Sequence, residues 1–180
     1  MNKYISILRG INVSGQKKIK MADLKSLYEL LGFQNVVTYI QSGNVIFDTS
    51  GKNRDDLKVI IEKAIEEKYK FHVPVELRTN HEIENIISNC PFGSVNLAED
   101  GTKVLVTFLS SEPQEGMALD IKKHVVAPEK LVIRGKEVYL YCPNGYGKSK
   151  LSNTFLEKKL NVEATTRNWK SVYKLHELST

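Results

Sequence analysis

Strand-like and helix-like periodicities alternate along residues 1–79 in an order that few architectures accommodate. "KYISILR" reads as a short strand, and a basic, glycine-containing loop leads to "MADLKSLYELLG", where Leu24, Leu27, Tyr28 and Leu31 recur at helical spacing. Gly32 stands where a helix is expected to end on a left-handed residue. "NVVTYIQ" and "NVIFDT" flank the Ser42–Gly43 turn as a hairpin. In "NRDDLKVIIEKAIEEKYK", Leu57, Ile60, Ile61, Ala64 and Ile65 form one apolar stripe behind a potential N-cap, Asn53. "HVPVELR" then alternates Val73, Val75 and Leu77. The order is βαββαβ, the ferredoxin-like plan, whose fourth strand lies at a sheet edge. Pro74 agrees with that placement, because a residue without a ladder donor is tolerated at an edge.

A helix-like "HEIENIISN" and an irregular stretch from Cys90 to Thr102 separate this run from a second one. "KVLVTFLS" is strand-like, "EGMALDIKKHV" helix-like, and "KLVIRGKEVYLYC" a hairpin through Gly135. "SKLSNTFLEKKL" reads as a helix, "VEATT" as a short strand candidate and "WKSVYKLHEL" as a further helix. The fold expected is α+β: two ferredoxin-like subdomains with antiparallel sheets and helices packed on one face. The subdomains are placed at 1–80 and 103–180, with a connecting helix and loop at 81–102. The crossover rule makes the first two strands parallel, so "GINVSGQKK" and "QSGN" share one end of the first sheet. "CPNGYGKSK" lies at the opposite end of its own sheet from the "RGK" hairpin.

Composition bounds the function classes. A chain of 180 residues, 41% apolar and 26% charged, is ordinary for a folded protein, and no apolar run approaches a membrane span. Cys90 and Cys142 lie far apart, which fits reduced thiols in a cytoplasmic setting. His72, His81, His124 and His176 form no metal-ligand spacing with them or with each other, so neither a metal nor another cofactor is expected. No G-x-S-x-G elbow or H-E-x-x-H pair is present.

Charge is unevenly placed. Arg9, Lys17, Lys18 and Lys20 fall in twelve residues without an acid, and Lys148, Lys150, Lys158, Lys159, Arg167, Lys170 and Lys174 face only Glu157 and Glu163 between residues 142 and 174. Within the first basic segment and "QSGN", Arg9, Asn12, Lys17, Lys18, Gln41, Ser42 and Asn44 supply a donor-rich rim. The same residue types also serve ordinary turns. "CPNGYGKSK" resembles a Walker A loop, but Cys142 replaces its first glycine and the stretch follows a hairpin strand, which removes that reading. What remains is a glycine turn with Lys148 and an N-cap at Ser149, either structural or holding an anion. In "ATTRNWK", Arg167 is a potential anion fork and Trp169 a stacking face. The alternative there is a Thr166 or Asn168 cap with a buried Trp169.

Together, "ILRGINV", "TYIQSGNVIF", "GYGKSKLSNTFLEKKL" and "ATTRNW" resemble the bacterial family called domain of unknown function 1697, over Arg9 to nearly Leu175. Ser14 stands where that family often has glycine and Lys20 where it often has proline, differences that bear only on the shape of the first loop. The resemblance implies a cytoplasmic α+β protein of two ferredoxin-like parts and no particular activity. The leading expectation is a binding module for a phosphate-bearing or anionic ligand, nucleic acid among them. It would use Arg9, Asn12, Lys17, Lys18, Gln41, Ser42, Asn44, Lys148, Ser149, Arg167 and Asn168. A small-molecule enzyme acting in a cleft between the subdomains and a protein-interaction module are the alternatives.

Overall fold

Residues 1–180 are described by a computed structural model in which the chain forms two units, Met1–Glu84 with Leu175–Thr180, and Asn85–Lys174. In the first, the apolar runs become β1 (Asn2–Leu8), β2 (Gln34–Tyr39), β3 (Asn44–Thr49) and β4 (Val75–Thr79), and the stripes become α1 (Met21–Leu30) and α2 (Arg54–Tyr69). α3 (Asn80–Ser88) follows β4 directly. The sheet order is β2-β3-β1-β4 with every neighbouring pair antiparallel, the ferredoxin-like arrangement, and β4 is an edge strand. Pro74 precedes β4 and its carbonyl accepts from Arg9 N at 2.9 Å, so the missing N–H costs no ladder bond.

Because strand side chains alternate, Tyr4 and Leu8 of β1, Val45 and Phe47 of β3 and Val75 and Leu77 of β4 project to one face. There they meet Leu24, Leu27 and Tyr28 of α1 and Leu57, Ile61 and Ile65 of α2 in a closed core. Each such side chain contributes about 1.5–3 kcal/mol by leaving water. Phe47 stacks on Phe33 at 4.5 Å and meets the edge of Tyr28 at 5.4 Å. Ser6 shares this face and would be an orphaned hydroxyl, but Tyr28 Oη lies 2.6 Å from its Oγ. Burial pushes the Tyr28 phenol far above its ordinary pKa and keeps it neutral.

The helix ends are written in local chemistry. Asn53 Oδ1 accepts from Asp56 N at 2.9 Å, and α2 stops at Lys70 in the left-handed region, φ 64°. Thr79 and Glu82 form a reciprocal capping box on α3, with Thr79 N donating to Glu82 Oε2 (2.7 Å) and Glu82 N to Thr79 Oγ1 (3.3 Å). Arg54 adds a two-pronged bond to the same carboxylate at 2.9 and 2.7 Å. Residues 175–180 belong with this unit: Asn80 Nδ2 donates to Ser179 Oγ (2.7 Å) and Lys3 Nζ to the Thr180 carbonyl (3.3 Å).

The second unit contains β5 (Val104–Leu109), α4 (Glu115–Ile121), β6 (Lys130–Arg134), β7 (Glu137–Tyr141), α5 (Asn153–Leu160) and β8 (Ala164–Asn168). α6 (Trp169–Ser179) begins at the next residue. Its sheet, β6-β7-β5-β8, is again fully antiparallel. Leu105, Leu109, Leu131, Leu140, Leu151, Leu156 and Leu160 build its core. The helix expected over "EGMALDIKKHV" is shorter than its periodicity: it tightens into a 3-10 turn at Lys122–His124 and ends before Pro128. The short strand expected at "VEATT" lies slightly later, at Ala164–Asn168, and completes a second βαββαβ order.

The repetition reaches individual side chains. Arg78 in β4 pairs with Ile5 of β1, and Arg167 in β8 with Val106 of β5. Both arginines are buried, and each donates from Nη1 to the carbonyl of its own preceding residue at 2.9 Å. Next in sequence, Thr79 caps α3 and Asn168 caps α6, the latter accepting from Ser171 N at 2.9 Å. Two segments with little sequence in common thus use one strand-to-helix joint.

Candidate anion-binding site

The basic first loop is a small tongue. Ser14 and Gly15 have φ of 50° and 74°, the pairing of a type I′ turn, and Gln16 N donates to Val13 O at 2.9 Å. Asn12 fixes its base: Oδ1 accepts from Ile19 N (2.9 Å), while Nδ2 donates to the carbonyls of Ile19 (2.9 Å) and Gln41 (2.8 Å). The tongue and the β2–β3 turn therefore adjoin, as the crossover rule requires. Leu8 N donates to Gly43 O at 2.9 Å across the same junction. Gly43 is required there twice over, since φ is +83° and a Cβ would come within 2.5 Å of Ile11 Cδ1.

Within this cluster three of the expected donors, Asn12, Lys17 and Asn44, are committed to the fold itself. Asn44 is fully buried, with Nδ2 donating to Tyr39 O (3.0 Å) and Ser42 Oγ (3.3 Å), and Lys17 Nζ donates to His72 O at 2.7 Å. Arg9 is half-buried, and its main-chain N–H holds the Pro74 carbonyl. Lys18, Lys20 and the side chain of Gln41 are exposed, so within this basic loop and its neighbouring turn the charge open to a partner is that of Lys18 and Lys20.

In the second unit, "CPNGYGKSK" leaves β7 and closes on itself. Gly145 N donates to Cys142 O (3.0 Å), Lys148 N to Gly145 O (3.1 Å) and Ser149 N to Tyr146 O (3.0 Å), which consumes N–H groups that a phosphate cradle would aim inward. Ser149 is not the N-cap of α5. Its hydroxyl accepts from Leu151 N at 3.0 Å, and Ser152 Oγ caps the helix through Phe155 N at 3.3 Å. Ser149 and Ser152 are both extended and the chain bends between them at Lys150, which moves the helix start three residues on. Asn168 serves α6, and Trp169 is buried, as the cap-and-core reading had it. Arg167 is buried too, and loss of hydration lowers its guanidinium pKa to about 10.

Lys148 instead faces a cleft of about 560 Å³ whose wall also includes His124, Pro128, Glu129, Asn144 and Lys150. Two ammonium groups, an imidazole and an amide share this concavity with one carboxylate. The His124 ring stands edge-on to Phe155 at 5.5 Å, and its Nε2 is 3.8 Å from Asp120 Oδ2. Lys123, at 3.2 Å, and Lys159, at 3.9 Å, also face that carboxylate. The Lys123 hydrogen bond and charge hold the Asp120 pKa below the usual carboxylate range. Sequence reading missed His124, Glu129 and Asn144, because the cleft is assembled from the α4–β6 connection and the turn after β7. The basic run around Lys148 and Lys150 was the signal available. No cluster of three His, Cys, Asp or Glu side chains suited to a metal is present, and no helix is long and apolar enough to cross a membrane.

The family described as "Protein of unknown function (DUF1697)" matches residues 1–139, more than three quarters of the chain. The chain belongs to the DUF1697 family. The matched stretch of this DUF1697 protein contains the tongue and the "QSGN" turn, while "GYGKSK" and "ATTRNW" lie beyond it. Among solved structures, the conserved bacterial protein SP0830 from Streptococcus pneumoniae is similar at 24% identity over 99% of both chains, with a TM-score of 0.72, a likeness of fold. No curated protein sequence matches this DUF1697 chain.

Proposed function

We propose that the protein is a binding module for a phosphate-bearing ligand, with Lys148, Lys150, His124 and Asn144 as the contacting groups. The cleft of the second unit carries the reading: it is concave, and its donors outnumber its single acid, Glu129. Concavity matters energetically. A charge pair at 4 Å is worth about 1 kcal/mol in bulk water and about 4 kcal/mol where low-dielectric walls reduce screening. On the first unit, Lys18 and Lys20 supply a second basic feature, and Asn12, Ser42 and Asn44 give it a fixed shape. The two free thiols and a pI of 9.1 fit a cytoplasmic protein with an anionic partner, nucleic acid being one form of it.

A thermal-shift screen of inorganic phosphate, phosphorylated metabolites and oligonucleotides at two salt concentrations tests the proposal. Saturable stabilisation that Lys148→Glu with Lys150→Glu removes is expected. Stabilisation by no anion at low salt, or a response untouched by that double substitution, would overturn it.

A further inference from the structure

A second recess lies in the same unit and owes nothing to the anion cleft. Leu105, Leu131 and Leu140 point into the helix-packed core, so their strand neighbours Val104, Lys130 and Tyr141 project from the other face of the sheet. Tyr141 is the cross-strand partner of both Val104 and Lys130, which places the three side chains together. Over them runs the irregular segment before β5, contributing Phe92, Ser94 and Asp100 to a recess of about 240 Å³.

This segment is held in place. Asp100 N donates to Asn96 O (2.8 Å), the Asp100 carbonyl accepts from Lys103 N (2.8 Å) and Val104 N (2.9 Å), and Ala98 N donates to Asn96 Oδ1 (3.0 Å). These bonds fix the Asp100 side of the recess. Phe92 and Tyr141 stand 6.2 Å apart with their planes inclined at 49°, a splayed wedge. Lys130 Nζ hovers 5.8 Å from the Tyr141 ring centre on a flexible arm, and Asp100 Oδ1 is 3.1 Å from Lys103 Nζ.

We infer that this recess receives one flat nitrogen heterocycle of nucleobase size, stacked against the Phe92–Tyr141 wedge. At about 240 Å³ it is below the ~300–1,000 Å³ of sites for drug-sized ligands, and suits a single ring system. The rim decides the chemistry. Asp100 accepts, Lys130 donates and Ser94 does either, so the site matches a ring edge bearing both an amino group and a carbonyl or ring nitrogen. A phenyl ring offers no such edge, and an indole offers only a donor.

The test is a titration of the intact, ¹⁵N-labelled protein with cytidine, adenosine and guanosine, followed by amide chemical shifts. Nucleosides carry no phosphate, so the outcome is separate from the anion cleft, which inorganic phosphate probes in a parallel arm. Saturable shifts at Ser94, Val95, Lys130 and Tyr141 are expected. Tyr141→Phe should bind normally and Tyr141→Leu about tenfold more weakly. Ser94→Trp, on an exposed residue, should fill the recess and abolish the shifts without touching the sheet. Failure of all three nucleosides to shift these amides at millimolar concentration overturns the inference. So does binding that survives both Tyr141→Leu and Ser94→Trp.

Discussion

The side-chain amide of Asn12 donates to the main-chain carbonyl of Gln41 at 2.8 Å, and so ties the first basic loop to the hairpin beside it. The same side chain brackets both main-chain groups of Ile19, and its backbone is left-handed at φ 55°. Asn12→Ala removes three bonds and leaves a β-carbon where asparagine is better tolerated. A loss of about 2–3 kcal/mol is expected, read as a lower urea midpoint with an unchanged m-value.

Gly43 should tolerate nothing larger. The added methyl of Gly43→Ala meets Ile11 Cδ1 at 2.5 Å and Leu8 Cβ at 3.0 Å, on a φ of +83°. Destabilisation of about 1–3 kcal/mol is expected, and it should exceed that of Gly93→Ala, which shares the backbone strain at φ +76° but has open surroundings. Equal effects in thermal melts would refute the close-packing account.

Glu82 predicts part of the acid limb. Burial alone would raise its pKa, but the bonds from Arg54 and Thr79 N outweigh burial and lower it. A carboxylate with a lowered folded-state pKa stabilises fully above its unfolded value, and that contribution is lost as pH falls through the folded value. Both side chains are about a third exposed, so solvent screening keeps the effect to about 1 kcal/mol or less. Glu82→Gln should reduce stability at pH 7 and narrow its difference from wild type at acid pH, as followed by denaturation across that range.

Salt dependence separates the two basic features. If an oligonucleotide binds at the cleft, Lys148→Ala should reduce the slope of log K against log salt by about one, with weakening that is uniform across sequences. Lys18→Glu would then leave binding near normal. A larger effect from Lys18→Glu would move the contact to the tongue.

The thiols should differ in reactivity. Cys142 is fully buried and burial raises its pKa, whereas Cys90 is part-exposed and also raised by burial. Slow modification of Cys90 in the native protein is expected, with Cys142 reacting only on unfolding; simultaneous reaction of both would contradict the packing around β7.

The architecture was legible because its signals are local and repeated: periodicity switches between 2 and 3.6, Asn53 caps, Gly32 ends a helix, and Pro74 marks an edge. The fold followed from handedness once the order was read. Side-chain commitments were not legible. Nothing in "GINVSGQKK" says that Asn12 spends its amide on Ile19 and Gln41, since asparagine is equally a turn former and a ligand donor. Ser149 looked like a cap because a helix-like pattern follows it, yet the glycine turn delays the helix and Ser152 takes the role. Arg167 reads as a surface cation in isolation, and only the pairing with Val106 shows that it is buried. The cleft, drawn from separate connections, leaves a trace in the sequence only as an excess of lysine.

The attachment of residues 175–180 to the first unit has a consequence for biosynthesis. All four strands of that unit have been translated by residue 79, yet the partners of Lys3 and Asn80 at Thr180 and Ser179 come about a hundred residues later. At ~5–20 residues per second, the nascent first unit waits roughly 5–20 s with those groups unmatched. Vectorial synthesis, which usually lets an amino-terminal unit finish before the next begins, here leaves it to be closed by the segment made after the second.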